Sequence, residues 1–118
     1  MEIIECEDFL LYGKDDFFVG DIKYSIGEDN KVFINFFQIY EEYRVFGLGR
    51  EMLIAMIAYF RKQGYKEILL EAIPMNTSMS LTTLISFYMD AGFDYLYRGT
   101  NYLKINLTKD SYGRFKIS

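Results

Sequence analysis

Histidine is absent from this chain, and cysteine occurs only once, at Cys6. Without histidine, Ser-His-Asp and Cys-His nucleophilic catalysis and imidazole ligation of a metal are excluded. A single cysteine can form no disulfide within the chain and cannot assemble a thiolate zinc site. Any catalysis must therefore use carboxylates, tyrosines, lysines or backbone amides, and we expect no bound metal.

Acidic residues outnumber basic residues, 17 to 13, and long hydrophobic runs are absent from the sequence. The net charge is −4 and the isoelectric point is about 4.8, which argues against nucleic acid as the main partner and mildly favours a cationic small molecule or amine. No apolar run approaches the length of a membrane-spanning helix, and the N-terminal segment M-E-I-I-E-C-E-D is acidic where a signal peptide would be basic. We therefore expect a cytoplasmic protein without a membrane partner.

The composition is that of a folded domain. Of the 118 residues, 51% are hydrophobic and 25% are charged, so disorder is not expected. The length suits a single domain, residues 1–118, and is too short for two independently stable units.

The first third of the chain has the pattern of an antiparallel meander without a helix. Residues 2–12 predict one or two strands, residues 17–26 predict the next, and turn sequences lie at 13–16 and 27–30. The segment V-F-I-N-F-F-Q-I-Y at 32–40 is nearly all apolar, which is typical of a strand covered on both faces.

The middle of the chain predicts a strand, a helix and a strand. Apolar residues recur at helical spacing from Leu48 to Gln63, and Gly64 suits the left-handed position after a helix. K-E-I-L-L-E-A-I at 66–73 is the following strand, and Pro74 stops it. In a right-handed βαβ unit, the strands that end near Tyr40 and Ile73 lie parallel.

A second helix and a closing hairpin follow. Leu81, Leu84, Ile85 and Tyr88 form the apolar stripe of a helix over 81–91, with Ser78 or Ser80 as the N-cap. Residues 93–97 and 102–107 are then expected to pair around the G-T-N turn.

The segment Y-R-V-F-G-L-G-R at 43–50 joins a strand to a helix through a glycine-rich turn. The first N–H groups of a helix have no partner within the helix and lie at the positive end of its dipole, so they can bind a phosphate. Gly47 and Gly49 let the backbone approach such a ligand closely. An ordinary strand-to-helix turn is the alternative interpretation.

Arg44, Gly47 and Gly49 resemble the R-x-x-G-x-G signature of the GNAT superfamily of acyl-CoA-dependent N-acetyltransferases. The resemblance implies that this loop, with Val45, Phe46, Leu48 and Arg50, holds the pyrophosphate of acetyl-CoA. Arg44 and Arg50 would add positive charge, although exposed arginines often only solvate the start of a helix.

Two later segments are similar to the same family in the right order. L-L-E-A-I-P-M-N at 69–76 places Glu71 and Asn76 where some members carry a glutamate and an asparagine, and F-Y-M-D-A-G-F at 87–93 places Tyr88 at the family's tyrosine. The resemblance covers roughly residues 15–107. Glu41 and Val45 replace the usual proline and glycine, and the spacing from Asn76 to Tyr88 is longer than usual.

The resemblance implies an α+β fold, with a mixed, mostly antiparallel sheet, a central parallel strand pair and two helices. It also implies transfer of an acetyl group from acetyl-CoA to a primary amine by direct attack. Backbone amides of the strand that contains Phe37 and Ile39 would hold the thioester and the pantetheine arm. The family's N-terminal helices, which form much of its acceptor wall, have no counterpart pattern before Leu48.

Glu71 and Tyr88 are the predicted catalytic residues. Glu71 interrupts an apolar strand, where a carboxylate is unfavourable unless it is paired or used, so it is a candidate base. It could instead lie at a solvated end of the sheet or pair with a nearby Arg or Lys. Tyr88 would give a proton to the CoA thiolate, although a tyrosine on this apolar stripe could equally be a core residue.

Other functions remain open at this stage. A GNAT-like module could bind CoA or a protein partner without catalysis. Dinucleotide binding of the Rossmann type is excluded because Met52 stands where G-x-G-x-x-G requires Gly or Ala. Without the N-terminal helices, apolar surface should stay uncovered, and we expect a homodimer to bury it.

Overall fold

The computed structural model describes residues 1–74 and 79–108, except for the side chains of Val45 and Phe46. The strands are β1 (Glu2–Glu5), β2 (Phe9–Lys14), β3 (Phe17–Ile26), β4 (Lys31–Ile39), β5 (Glu67–Glu71), β6 (Asp94–Tyr95) and β7 (Tyr102–Asn106). The α-helices are α1 (Leu48–Lys62) and α2 (Leu81–Asp90), and short 3-10 helices occupy Glu28–Asn30 and Glu41–Phe46.

The strands form one sheet in the order β1-β2-β3-β4-β5-β7-β6. Every neighbouring pair is antiparallel except β4 and β5, which are parallel. This mixed sheet with a central parallel pair confirms the predicted fold class. The predicted strand at 93–97 is shorter in the structure, because only Asp94 and Tyr95 pair with β7.

Both helices pack on the same face of the sheet. The Phe60 ring of α1 lies 5.1 Å from that of Tyr24 on β3, and the Phe87 ring of α2 lies 6.4 Å from that of Phe37 on β4. Tyr24 shares a face with Ile22, its second neighbour on β3, and Ile22 pairs directly with Phe37. The predicted apolar stripe of α1 is buried here: Met52, Leu53, Met56, Ile57 and Phe60.

The opposite face of the sheet is open in the described part of the chain. Phe33 on β4 is 42% exposed and Asn35 is also exposed, whereas Val32 and Ile34, which alternate with them, are buried. The prediction that this strand is covered on both faces is therefore wrong. Both helices pack on one face of the sheet, so Val32 and Ile34 of β4 on that face are buried. Phe33, on the other face, is exposed although it is apolar.

The parallel pair separates midway along β4. Pairing runs from Lys31 with Glu67 to Ile34 with Leu70, and β4 then continues to Ile39 without β5 beside it. On the other edge of β4, Tyr24 and Lys23 pair with Ile34 and Phe36, so Asn35 is an extra residue of a β-bulge. A bulge bends a strand and increases its twist, which accounts for the separation at this point.

The segments that lead into the two helices differ from the expected pattern in detail. No α-helix precedes Leu48 in the described residues 1–47, as expected, but the 3-10 helix at Glu41–Phe46 was not predicted. Ser80 is the N-cap of α2, since its Oγ accepts from the Thr83 N–H at 3.1 Å, while Ser78 lies outside the described residues. No described helix is long and apolar enough to cross a membrane.

Candidate functional site

A cavity of about 590 Å³ opens where β4 leaves β5. Its walls come from the separated end of β4, the loop before α1, the end of β5 and one side of α2. The described lining residues are Ile34, Asn35, Phe36, Phe37, Gln38, Ile39, Arg44, Gly47, Gly49, Arg50, Leu70, Glu71, Ile73, Met79, Leu84, Phe87 and Tyr88. Apart from Val45, Phe46 and Asn76, nine residues are predicted for binding or catalysis, and all of them except Leu48 line this cavity.

Gly47 sets the backbone of the loop. It ends the 3-10 helix and begins α1 with φ +70°, a left-handed conformation that glycine adopts without strain. No side chain caps the N-terminus of α1, so no side-chain cap competes with a ligand for its first N–H groups. A Cβ on Gly47 would meet nothing within 4 Å, so glycine is required here by conformation and not by space.

Gly49 contributes empty space instead. A Cβ at this position would lie 3.7 Å from Cζ of Phe87 and 3.8 Å from Cγ1 of Ile39, inside the gap between α2 and β4. The missing side chain is thus part of the cavity. Leu48, between the two glycines, packs its side chain against the core, so only its backbone could contribute to a ligand site.

The two arginines occupy different positions beside the loop. Arg44 donates from Nε to the backbone O of Ile39 at 2.8 Å, which ties the loop to the end of β4. Arg50 is exposed on the first turn of α1. Both side chains line the cavity, so the structure brings the two predicted cationic groups to the same opening as the loop amides.

The separated end of β4 supplies a free strand edge. From Asn35 to Ile39, β4 has no β5 residue beside it, and Phe37 and Ile39 line the cavity. Backbone N–H and C=O groups on such an edge can pair with an extended amide-containing ligand. The structure thus places both predicted strand residues at the cavity.

Tyr88 is buried at the inner end of the cavity, with 6% of its surface exposed. Its ring lies between those of Phe37, Phe87 and Phe93, with centroid distances of 6.2, 5.2 and 5.5 Å. Burial raises the pKa of the Tyr88 phenol to about 12, because the apolar surroundings disfavour the phenolate. The hydroxyl therefore stays protonated at neutral pH.

Glu71 lies at the end of β5 and is exposed, which corrects its predicted place in the middle of an apolar strand. The strand predicted over residues 66–73 is present only over Glu67–Glu71. Nδ2 of Asn101 donates to Oε2 of Glu71 at 3.3 Å and to the backbone O of Ala72 at 2.8 Å. Asn101 therefore holds the Glu71 carboxylate in place, whereas its place in the sequence indicates only a hairpin turn.

A second cavity of about 270 Å³ adjoins the first and was not predicted. Its described walls are Phe33, Ile34, Asn35, Leu69, Leu70, Glu71, Ile73, Leu96 and Tyr102. Glu71 is the only ionisable carboxylate among them and lines both cavities.

Three predicted residues are not tested by this geometry. Asn76 lies outside the described residues. Val45 and Phe46 belong to the 3-10 helix before the loop, and their side chains are likewise outside the description. Within the described chain, no group of three or more acidic, cysteine or histidine side chains is placed to hold a metal.

The arrangement of loop, split parallel strands and buried tyrosine agrees with the family comparison. The sequence model of the acetyltransferase (GNAT) family matches residues 3–93. The chain belongs to the GNAT acetyltransferase family. No curated protein sequence matches it.

Solved structures show the same fold in other GNAT proteins. A GNAT acetyltransferase from Staphylococcus aureus Mu50 is 22% identical with a TM-score of 0.64, over 85% of this chain and 67% of that protein. YhbS from Escherichia coli, solved in complex with CoA, is 17% identical with a TM-score of 0.63, and the match covers 87% of this chain and 60% of YhbS. This GNAT chain thus spans about three fifths to two thirds of their length.

The anti-CRISPR protein AcrVA5 is also similar in structure, and the match covers a larger share of its chain. It is 29% identical with a TM-score of 0.58, and the match covers 72% of this chain and 87% of AcrVA5. A fold similar to that of this chain therefore makes up most of AcrVA5.

Proposed function

We propose that this GNAT protein is an N-acetyltransferase that moves an acetyl group from acetyl-CoA to a primary amine by direct attack. The observation that carries the proposal is that the larger cavity is lined by the loop before α1, the free edge of β4, Tyr88 and Glu71. A CoA-shaped ligand needs an anion site, an extended channel and a place for the thioester, and these lie here in that order.

The proposed cofactor pose follows from the chemistry of each wall. The pyrophosphate binds the N–H groups that follow Gly47, next to Arg44 and Arg50. The pantetheine amides pair with β4 beside Phe37 and Ile39. Asn76 and the backbone of residues 45, 46 and 48 are proposed to complete the site. The CoA found with YhbS supports this choice of cofactor.

In the proposed reaction, an ammonium substrate first loses a proton to Glu71 or to a water that Glu71 holds. The free amine attacks the thioester carbonyl, the C–N bond forms, and the C–S bond breaks. The leaving sulfur takes a proton from the Tyr88 hydroxyl, and the second amine proton returns to Tyr88 through solvent. One proton is released to water for each acetyl group transferred.

The raised pKa of Tyr88 is compatible with proton donation if the leaving thiolate is also a stronger base than in water. A phenol with a pKa of about 12 gives up its proton only to a strong base. A thiolate that forms in the same apolar cavity is desolvated as well, so its basicity rises together with that of the phenol.

A second candidate is a CoA-binding or protein-interaction module without catalysis. The open face of the sheet favours it, because Phe33 and Asn35 are exposed where an acceptor wall would otherwise stand. We also propose, without a structural test, that the protein acts in the cytoplasm and as a homodimer.

Calorimetric titration with acetyl-CoA and with CoA, followed by an amine screen that measures thiol release, separates the two functions. The enzyme is expected to bind both ligands and to release thiol only with an amine. Binding without thiol release for any amine class would favour the module. Absence of binding to either ligand would remove both the cofactor and the activity.

A further inference from the structure

The second cavity lies on the face of the sheet opposite to both helices. Phe33 and Leu69 pair directly and alternate with Ile34 and Leu70, whose side chains point to the helix side. Leu69 is buried, with 8% of its surface exposed, yet it is not part of the core cluster that packs under the helices. Tyr102, opposite Glu71 on β7, lies on the same face as Phe33 and Leu69.

The two cavities meet where the parallel strands separate. The residues that line both are Ile34, Asn35, Leu70, Glu71 and Ile73. A molecule in the second cavity can therefore approach the first through the gap between β4 and β5. Glu71 stands at this junction, and Asn101 holds its carboxylate.

Carbon makes up the larger part of the wall of the second cavity, and its polar side-chain groups are those of Asn35, Glu71 and Tyr102. Phe33, Leu69, Ile73, Leu96 and Tyr102 present carbon surfaces. Tyr97 extends this surface, since its ring lies 6.4 Å from that of Tyr102. Among the described lining residues, Glu71 alone carries a charge.

These walls limit the ligand in charge and in size. One ammonium can pair with Glu71, but a second charge would find no opposite charge among the described walls, so burying it is unfavourable. The volume of about 270 Å³ is below the range of roughly 300–1,000 Å³ that is usual for drug-sized ligands. It is large enough for one side chain or a small amine.

We propose that the acceptor is a single primary ammonium on an apolar stem, which enters through this second cavity and places its nitrogen at Glu71. The inference rests on the proposed acetyltransferase function and names its substrate class. Two sources share this chemistry, a free alkyl- or arylalkylamine and the lysine side chain of a protein.

The first test compares amines in the thiol-release assay with saturating acetyl-CoA. Phenethylamine and a lysine peptide with a blocked N-terminus represent the two sources, while spermidine and phenylalanine add a second cation or a carboxylate. We expect kcat/KM to be at least about tenfold higher for one of the first two. A preference for the peptide over phenethylamine assigns the source to protein. A preference for spermidine would overturn the proposal.

The second test changes the wall of the cavity. Phe33→Glu places a second carboxylate beside the stem and should shift the preference toward spermidine, while the KM for acetyl-CoA stays unchanged because Phe33 does not line the larger cavity. Ile54→Glu is the matched control, since Ile54 is 45% exposed on α1 and lines neither cavity as described. Equal effects of the two variants would overturn the proposal.

A binding measurement keeps the proposal separate from the activity. Calorimetry of the CoA-loaded protein should detect phenethylamine but not phenethyl alcohol at the same concentration, and Tyr102→Ala should weaken the binding. Binding without any acetyl transfer would refute the proposed enzyme and leave the cavity assignment standing. Acetyl transfer that neither Phe33→Glu nor Tyr102→Ala alters would refute the cavity assignment and leave the proposed enzyme standing. No binding of phenethylamine and no transfer to either source would refute the inference.

Discussion

Glu71 is exposed, at the end of β5, and lines both cavities. A carboxylate in contact with water can take a proton from an ammonium and then release it to the solvent. An exposed position therefore suits a proton relay better than a position sealed from water. The Asn101 amide fixes one carboxylate oxygen and leaves the other free for a substrate. The catalytic role of Glu71 stays a prediction.

Glu71→Gln keeps the shape of the side chain and removes the base. We expect a loss of kcat that is partly restored as the pH rises, because the amine then loses its proton in solution. The rate is measured from neutral to alkaline pH. Glu67→Gln is the matched control, since Glu67 lies on the same strand, pairs with Lys31 at 3.6 Å and lines neither cavity as described. A loss of equal size at every pH would contradict the base.

Tyr88→Phe removes one hydroxyl from the inner end of the cavity. We expect an unchanged Kd for acetyl-CoA and a fall in kcat of ~10²–10⁴-fold, the usual range for general acid–base groups. Single-turnover kinetics and calorimetry give the two quantities. Tyr95→Phe makes the same change at an exposed tyrosine that lines neither cavity as described. Normal turnover in Tyr88→Phe would return Tyr88 to the status of a core residue.

The raised pKa of Tyr88 also predicts how stability depends on alkaline pH. The folded pKa of about 12 exceeds the ordinary value of 10.0, so the folded state binds this proton more tightly than the unfolded state does. The contribution is complete below about pH 10 and is lost as the pH rises toward 12, and its size is on the order of 2–3 kcal/mol.

Urea unfolding at pH 8, 10 and 11 tests this dependence. The free energy of unfolding should fall more steeply with pH in the unaltered protein than in Tyr88→Phe, which lacks the group. Parallel curves for the two proteins would show that the buried phenol does not titrate as described.

At the scale of elements, the loop between β4 and α1 depends on two glycines for different reasons. Gly47 has a left-handed backbone with open space around it, while Gly49 leaves room between Ile39 and Phe87. A valine at each position should therefore weaken acetyl-CoA binding through strain in the first case and through occupied volume in the second.

Gly49→Val should raise the Kd for acetyl-CoA at least about tenfold with little loss of stability, because a Cβ at this position meets only ordinary van der Waals contacts. Gly47→Val should raise the Kd and also destabilise the fold by about 1–3 kcal/mol. Gly64→Val is the control for strain, since Gly64 has φ +90°, no atom within 4 Å of a Cβ, and lies beyond the other end of α1. Calorimetry and urea unfolding give both quantities. Unchanged affinity in Gly49→Val would remove the pyrophosphate assignment.

The apolar side of α2 lines the larger cavity more than it packs into the core. Of its predicted stripe, Tyr88 is buried, Leu84 and Ile85 are half-buried, and Leu81 is 41% exposed. Leu84, Phe87 and Tyr88 line the larger cavity. The apolar side of this helix thus faces a space that a ligand would fill.

At the scale of the whole molecule, much apolar surface is exposed in the described residues. Phe17, Ile26, Phe33, Ile54, Ile73 and Tyr97 are each at least 42% exposed. Monomeric proteins rarely leave large apolar patches uncovered. Phe33 and Ile54 lie on opposite faces of the sheet, so these residues do not form one patch, and the homodimer stays a prediction.

Sedimentation equilibrium at micromolar concentration should give about twice the chain mass of 14.0 kDa. Phe33→Glu and Ile54→Glu, on opposite faces of the sheet, then locate the interface, because a charge placed inside it should favour the monomer. A mass near 14.0 kDa for the unaltered protein would contradict the dimer.

The sequence by itself determined the elements and the loop. The spacing of Met52, Met56 and Phe60 predicted the buried side of α1 correctly, because helical periodicity records which face is removed from water. The two glycines of the loop and the order of strand, helix and strand were likewise readable, since backbone conformation and connection depend on neighbouring residues.

Only the tertiary structure decided which face of the sheet is open and what meets at the strand separation. The near-continuous apolar run of β4 could not show that Phe33 is exposed, because this depends on where two later helices pack. Asn101 reaches Glu71 across 30 positions of sequence, and the second cavity is built from four strands or their ends. Such contacts join residues that are distant along the chain, so no local pattern records them.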